Sequence, residues 1–178
     1  MARGVSSSAL RPLVFVGVVL FALWRPLLAG GTLAPDDQAW SSAPFNVEAP
    51  AGISIEVAEP DAIAIHSMWT RWADDLRDGE LTHLGDGRTG APTLADGLPV
   101  THLLYVLVPS WYAPGLVAAA AVLLAMFGMA RLLDRLEVGP EAALFGGLAF
   151  GLCGPMFFWL GWPHATAFAL VPWVLAAA

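Results

Sequence analysis

Two adjacent carboxylates, Asp36 and Asp37, follow the first apolar run of the chain and are candidates for acid–base chemistry. Paired acids beside a membrane surface can take a proton from a hydroxyl group or hold a divalent cation. The sequence Pro35-Asp36-Asp37 is also typical of a turn, so a solvated turn is the structural alternative. We therefore keep both carboxylates as candidate catalytic bases.

Asp61 and His66 form a second candidate group near the start of a predicted helix. The carboxylate of Asp61 is a candidate base, and the imidazole of His66, which follows about one turn later, is a candidate base or ligand. Each residue has an alternative role. Asp61 can serve as the N-cap of the helix, and His66 can be an ordinary residue of a helix lying at a membrane interface.

Two further side chains are candidates for substrate binding. Arg88 lies in the glycine-rich turn 85–90, where a guanidinium beside free backbone amides can receive a phosphate, unless it pairs with a nearby acid. His164 lies in the turn Trp162-Pro163-His164 and is expected to face either a cavity at the outer membrane face, shared with the other candidates, or solvent. The single cysteine, Cys153, excludes a metal site built from several thiolates, and no residue is assigned as the ligand of a resident metal. The sequence contains no Walker loop, dinucleotide fingerprint or HExxH motif.

Charged residues are scarce in this chain and unevenly distributed. Hydrophobic residues make up 57% of it and charged residues 13%, whereas soluble domains carry about 25% charged residues. Four runs lack Asp, Glu, Lys and Arg altogether: Leu13–Trp24, Gly115–Ala130, Ala142–Trp162 and Ala165–Ala178. Runs of about 20 apolar residues match the thickness of a bilayer. The predicted fold is an all-α polytopic membrane protein.

Twelve acidic and three basic residues lie between positions 32 and 110, so this segment forms a large acidic loop. Such a loop argues against nucleic acid as a partner, because phosphate binding needs a basic face. The positive-inside rule places Arg3, Arg11, Arg131 and Arg135 in the cytoplasm and the acidic loop outside. Residues 29–31 resemble a weak signal-peptide cleavage site, and we favour an uncleaved anchor over that alternative.

These observations predict a multi-pass protein of the cell membrane with a cytoplasmic N-terminus. Since the last apolar run stops within a helix, we expect the chain to be truncated. The predicted segments are a cytoplasmic N-terminus at 1–11, transmembrane helix 12–28, extracytoplasmic loop 29–113, transmembrane helix 114–133, cytoplasmic loop 134–141, transmembrane helix 142–162, outer turn 163–165 and partial transmembrane helix 166–178.

Within the extracytoplasmic loop, hydrophobic residues at helical spacing, among them Trp69 and Trp72, predict an amphipathic interfacial helix over about 62–78 that ends at Gly79. The apolar segment 98–108 is about half a span long and predicts a second interfacial element.

Two features of the third predicted span bear on its packing. Gly147 and Gly151, four residues apart, predict a close helix–helix contact. Pro155 predicts a kink farther along the same span.

The order of these motifs resembles the bacterial YfhO-like membrane proteins of the GT-C-type glycosyltransferase superfamily. A basic N-terminus and one span precede a large outer loop, which is followed by spans joined by short loops. The matching motifs, in chain order, are Asp61, Trp69-Thr70-Arg71-Trp72, Leu76-Arg77-Asp78-Gly79-Glu80-Leu81, Gly90-Ala91-Pro92, Leu103-Leu104-Tyr105 to Pro109, Ala130-Arg131-Leu132-Leu133, Ala142-Ala143-Leu144 and Trp162-Pro163-His164.

The resemblance implies transfer of a sugar from a polyprenyl-phosphate donor to a cell-envelope glycan or lipid acceptor at the outer membrane face. Asp36, Asp37 or Asp61 would then be the general base, and Arg88 or a divalent cation would offset the charge of the lipid phosphate. A transporter or flippase is the first alternative. Since Thr82-His83-Leu84-Gly85 replaces a Trp-Asn-Pro-like motif of the family, a non-catalytic remnant is the second.

Overall fold

The computed structural model describes residues 7–31, 33, 60–79, 103–160 and 163–178, without the side chains of residues 7–9, 60–68 and 163. All regular secondary structure in these residues is helical, and they contain no β-strand. The chain divides into two compact units. Unit 1 comprises Met1–Gly31 and Gly115–Ala178, and unit 2 comprises Thr32–Pro114.

The described residues form eight helices. Their bounds are α1 (Ser7–Ala22), α2 (Trp24–Leu28), α3 (Pro60–Arg77), α4 (Leu104–Leu107), α5 (Ala113–Arg135), α6 (Pro140–Gly151), α7 (Gly154–Phe158) and α8 (Pro163–Ala177).

Prolines set several of the helix ends. Proline lacks an amide hydrogen and clashes with the carbonyl four residues before it, so an upstream helix tends to end there. Pro26 lies four residues after Ala22, where α1 ends, and Pro155 lies four residues after Gly151, where α6 ends. Pro140 begins α6. An amide hydrogen at the first position of a helix would have no intrahelical acceptor, so its absence from proline costs no hydrogen bond there.

These breaks divide two of the predicted spans. Residues 12–28 belong to two helices separated at Leu23, and α1 begins before that range. Residues 142–162 contain most of α6 and all of α7, with the break at Leu152 and Cys153 just before Pro155. The helix predicted at 114–133 is continuous as α5 and extends to Arg135.

The end of α2 has a glycine-dependent cap. Gly30 has a positive φ of 71°, and the amide of Gly31 donates to the carbonyl of Arg25 at 2.9 Å. The amide of Gly31 thus reaches a carbonyl six positions earlier, and Gly30 adopts the left-handed conformation of this turn at no steric cost. The small residues at 29–31 therefore have a structural role as a helix terminus.

Helix α5 forms the centre of the unit 1 core, and the buried side chains there are mostly small. The fully buried alanines in this cluster are Ala118, Ala121, Ala125, Ala130, Ala165 and Ala169. Larger members include Phe15 and Met126, and Phe15 packs edge-on against Phe127 with ring centroids 5.1 Å apart. Small residues let helix backbones approach closely, which is typical of helix packing in membranes.

The close contact predicted for Gly147 and Gly151 is confirmed. A Cβ atom built on Gly147 would lie 2.6 Å from Phe15 Cζ and 2.8 Å from the carbonyl oxygen of Met126. One built on Gly151 would meet the side chain of Met126 and lie 3.3 Å from the carbonyl oxygen of Val122. Helix α6 therefore lies directly on the backbone of α5, with no room for a larger side chain at either glycine.

A second close contact joins α8 to α5. The indole Nε1 of Trp173 donates to the carbonyl oxygen of Leu124 at 2.8 Å. The same ring covers Gly128, where a Cβ atom would lie 2.5 Å from Nε1, and Arg131 lies over it at 5.9 Å from the centroid. This donor is satisfied by a backbone carbonyl of α5, so burial of the indole leaves no polar group unpaired there.

In unit 2, α3 is amphipathic over the residues whose side chains are described. Trp69, Trp72 and Ala73 are buried, and the two indole rings pack edge-on with centroids 5.5 Å apart. Four exposed positions on the same helix and just after it are charged, namely Arg71, Asp74, Arg77 and Asp78. The prediction that Gly79 ends this helix is confirmed, since its φ is +77° and its amide donates to the carbonyl of Leu76 within the closing turn.

Two helical segments are long and apolar enough to cross a membrane, Ala113–Arg135 and Pro140–Phe158. The 23 residues of α5 span about 35 Å at 1.5 Å per residue, slightly more than the hydrocarbon thickness of about 30 Å. The apolar segments Leu10–Ala22 and His164–Ala177 are shorter than a full span.

Candidate functional site

Three of the six predicted site residues, Asp36, Asp37 and Arg88, lie outside the described residues, as does the glycine-rich turn around Arg88. Their roles therefore stay predictions. The other three candidates are Asp61 and His66 on α3 in unit 2, and His164 on α8 in unit 1.

The backbone of α3 determines how Asp61 and His66 are related. The helix begins at Pro60, so Asp61 is its second residue and lies inside the first turn, not at the N-cap position that the sequence suggested for it. A carboxylate in the first turn interacts favourably with the positive end of the helix dipole. Five residues separate Asp61 from His66, which is about 140° around an α-helix. The two positions therefore lie on different faces of α3.

His164 lies in the first turn of α8 beside an aromatic cluster. Its exposed imidazole packs against Trp159 with ring centroids 4.9 Å apart and planes tilted by 42°. The ring of Phe158 also contacts Trp159, edge-on and with the same centroid distance of 4.9 Å. Trp159 thus contacts both rings, and His164 presents an exposed polar group at the edge of an apolar surface.

In the described part of the chain, no three His, Cys, Asp or Glu side chains come together in a way that would hold a metal ion. A divalent cation near Asp36 and Asp37 stays a prediction, because both residues lie outside that part.

The strongest electrostatic feature of unit 1 is an ion pair between Arg11 of α1 and Asp134 of α5. Its two hydrogen bonds are 2.5 Å from Nη1 to Oδ2 and 3.1 Å from Nη2 to Oδ1. The Arg11 side chain is 11% exposed and that of Asp134 46% exposed. A two-pronged contact of this kind fixes orientation as well as distance. It holds the start of α1 and the end of α5 at the same end of unit 1.

Unit 2 contains a second organised arginine. Arg77, in the last turn of α3, donates to the backbone carbonyls of Tyr105, Val106 and Val108, at 2.5, 3.1 and 2.7 Å. It also pairs with Asp74 at 2.7 Å. We call this arrangement of Arg77 with the three carbonyls the arginine brace. These carbonyls lie at the end of α4, where a helix leaves its acceptors without intrahelical donors.

Sequence reasoning does not assign either arginine its partner. From the sequence, Arg11 is a marker of membrane orientation, and Arg77 is one of several charged residues on the polar face of α3. Pro109 is the sequence feature that indicates the brace. A residue before proline favours an extended conformation, and Val108 has φ −131° and ψ 163°. That conformation ends α4 and leaves its carbonyls in need of donors. The partner of Arg11 has no comparable local signal.

No known protein family has a model that matches this chain, and no curated protein or solved structure shows detectable similarity to it.

Proposed function

We propose that unit 1 is a multi-pass, membrane-embedded helical bundle. The observation that carries this proposal is the distribution of side-chain size. Alanine is the commonest residue of the buried core, while large apolar residues such as Phe21 and Phe145 are 81% and 74% exposed. Extensive exposure of large apolar side chains is unfavourable in water and favourable in lipid.

The packing of α1 supports a retained anchor over a cleaved signal peptide. Phe15, Val19 and Leu23 are buried in the core of unit 1. In addition, Pro26 of α2 contacts the start of α5, where a Cβ atom built on Gly115 would lie 3.1 Å from Pro26 Cβ. Removal of α1 and α2 would expose this apolar surface of α5, so the bundle depends on keeping them.

For orientation, we propose that the end of unit 1 containing the Arg11–Asp134 pair faces the cytoplasm. Arg131 and Arg135 lie in the last turns of α5, beside Asp134 in sequence, and the positive-inside rule favours the cytoplasm for such residues. Unit 2 would then be extracytoplasmic, since along the chain it follows the C-terminal end of α2 and leads into the N-terminal end of α5.

Cysteine accessibility tests this orientation. In a Cys153→Ala background, which removes the only native thiol, we expect Asp78→Cys to react with a membrane-impermeant maleimide in intact cells. We expect Leu136→Cys, which is exposed in the turn after α5, to react only after lysis. If position 136 reacted in intact cells and position 78 were protected, the orientation would be the reverse of the one proposed. The basis for chemistry at the outer face would then be lost.

We further propose that the chain belongs to a membrane glycosyltransferase that moves a sugar from a polyprenyl-phosphate donor to an envelope glycan or lipid. The order of motifs described above supports this proposal. Asp61 lies in the first turn of α3 and, with Asp36 and Asp37, is a candidate for the base that activates the acceptor hydroxyl. Arg88 is the candidate for the donor phosphate, and His66 and His164 are candidates for further substrate contacts.

Conservative substitutions of the carboxylates test this activity. We expect Asp61→Asn or Asp37→Asn to abolish modification of the envelope glycan in the native host while the protein remains at its normal level in the membrane. Asn keeps the size of the side chain and removes its ability to accept a proton. Asp78→Asn, an exposed carboxylate at the end of α3, is the matched control and should leave modification unchanged. Unchanged modification in both single variants and in the double variant would contradict the proposal and favour a non-catalytic protein.

Transport is the second candidate, and the helix breaks favour it. Interruptions at Leu23 and at Leu152–Cys153 divide two of the spans predicted from the sequence, and discontinuous helices line the substrate sites of many transporters. Uptake or flipping of a lipid-linked sugar by reconstituted protein, without glycosyl transfer, would support this candidate.

A further inference from the structure

The segment that leads into α5 presents a set of large apolar side chains to the surroundings. Leu103, Leu107 and Trp111 recur at four-residue intervals, and all three are exposed, with Leu107 at 76%. No Asp, Glu, Lys or Arg occurs from Leu103 to Ala130. The exposed apolar character of this segment is therefore continuous along the chain with the candidate span. We call Leu103, Leu107 and Trp111 the α4 apolar face.

The arginine brace supplies hydrogen-bond donors to the backbone carbonyls at the end of α4, which lets this segment lie where water is scarce. Unpaired backbone carbonyls are strongly unfavourable near the hydrocarbon layer. The carbonyls of Tyr105, Val106 and Val108 accept hydrogen bonds from Arg77, so the end of α4 does not depend on water for donors. Asp74 pairs with the same guanidinium and offsets its charge.

We propose that the α4 apolar face inserts into the membrane interface, at the boundary between lipid headgroups and acyl chains, and that the arginine brace holds it in the inserted conformation. The inference rests on the proposal that α5 crosses the membrane. Trp111 and Tyr112 directly precede α5, and their rings pack with centroids 5.4 Å apart. Tryptophan and tyrosine are enriched where spans enter the interface, so their position favours lipid as the occupant.

Depth-dependent fluorescence of the full chain tests the inference. In a Cys153→Ala background, Leu107→Cys is labelled with the fluorophore NBD and reconstituted into phosphatidylcholine vesicles with or without brominated phosphatidylcholine. We expect the label at position 107 to be blue-shifted and to lose emission in the brominated vesicles. A label at Asp78→Cys is the aqueous control and should be unaffected. A label at Phe145→Cys, exposed on α6, reports whether unit 1 itself is in lipid.

The three labels separate failure of this inference from failure of the proposed function. Quenching at position 145 but not at 107 would leave the membrane bundle intact and overturn the interfacial face. Absence of quenching at both positions would overturn both proposals. A blue-shifted label at 107 that bromolipid does not quench would mean that protein covers this face, which also overturns the inference.

A second measurement tests the brace itself. Arg77→Gln in the chain labelled at position 107 removes the charged donors to the three carbonyls, and we expect quenching by bromolipid to be lost. Arg71→Gln removes the same charge from an exposed position on the same helix and should retain quenching. Equal quenching in the two variants would show that the brace does not hold the face in place.

Discussion

Replacement of Gly147 by leucine is expected to destabilise unit 1 strongly. Even the single Cβ atom of alanine would lie 2.6 Å from Phe15 Cζ and 2.8 Å from the carbonyl oxygen of Met126. A phenyl ring can rotate away, but a helix carbonyl moves only with its backbone. Overpacking of this kind costs about 1–3 kcal/mol, and the larger leucine side chain would force α6 away from both α1 and α5. The measurement is the free energy of unfolding in detergent micelles by titration with SDS, followed by circular dichroism.

Gly17→Ala is the matched control for that substitution. Gly17 lies inside α1 with nothing within 4 Å of the position that a Cβ atom would occupy, so alanine fits without a clash. Glycine within a helix is about 0.5–1 kcal/mol less favourable than alanine, and we therefore expect this variant to be slightly more stable than the natural chain. Equal unfolding of Gly147→Leu and the natural chain would contradict the packing of α6 on α5.

The small-residue spacing at Gly147 and Gly151 is informative in the sequence because it is a local pattern with a direct physical meaning. It predicts that some helix comes close, and that prediction is confirmed. It does not identify Phe15 or Met126 as the contacts, since those are far away in the chain. Which helices meet, and at which register, depends on the packing of all side chains together.

The helix breaks also combine a part that local sequence predicts with a part that it does not. Pro155 predicts a kink, and the break before it follows from the carbonyl that the proline ring displaces at Gly151. The same rule applied to Pro26 places the end of α1 at Ala22, but the hydrophobic run through this region favours one uninterrupted helix. The apolar composition indicates where a helix can lie in lipid, whereas the proline determines where its hydrogen bonding stops.

The candidate site is less accessible to sequence reasoning than the fold. Residue type alone selects Asp61 and His66, and the continuous helix α3 places the two positions about 140° apart around its axis. Residue type also selects His164, but its contact with Trp159 depends on how α8 follows α7. Relations among catalytic side chains are tertiary, and spacing constrains them only within one helix or strand.

The second large effect is expected at the ion pair between Arg11 and Asp134. Asp134→Asn keeps the shape of the side chain but removes the charge that neutralises a guanidinium only 11% exposed. Hydrogen bonds to charged groups contribute about 1.5–3 kcal/mol, so the free energy of unfolding should fall by about that amount. Arg135→Gln, at an exposed position on the same helix, should change it by no more than about 0.5 kcal/mol.

The double variant Arg11→Met with Asp134→Leu distinguishes a specific pair from two independent charges. Breaking this part-buried pair leaves the buried guanidinium of Arg11 without compensation, whereas replacing both partners of such a pair by apolar side chains is often close to neutral. We therefore expect the double variant to be more stable than Asp134→Asn. We also expect the changes in unfolding free energy caused by Arg11→Met alone and Asp134→Leu alone to be non-additive in the double variant. Strict additivity across the cycle, measured by SDS titration, would mean that the two side chains do not interact. Non-additivity would instead show that the start of α1 and the end of α5 are held together, which is the arrangement that the proposed topology requires of two antiparallel membrane helices.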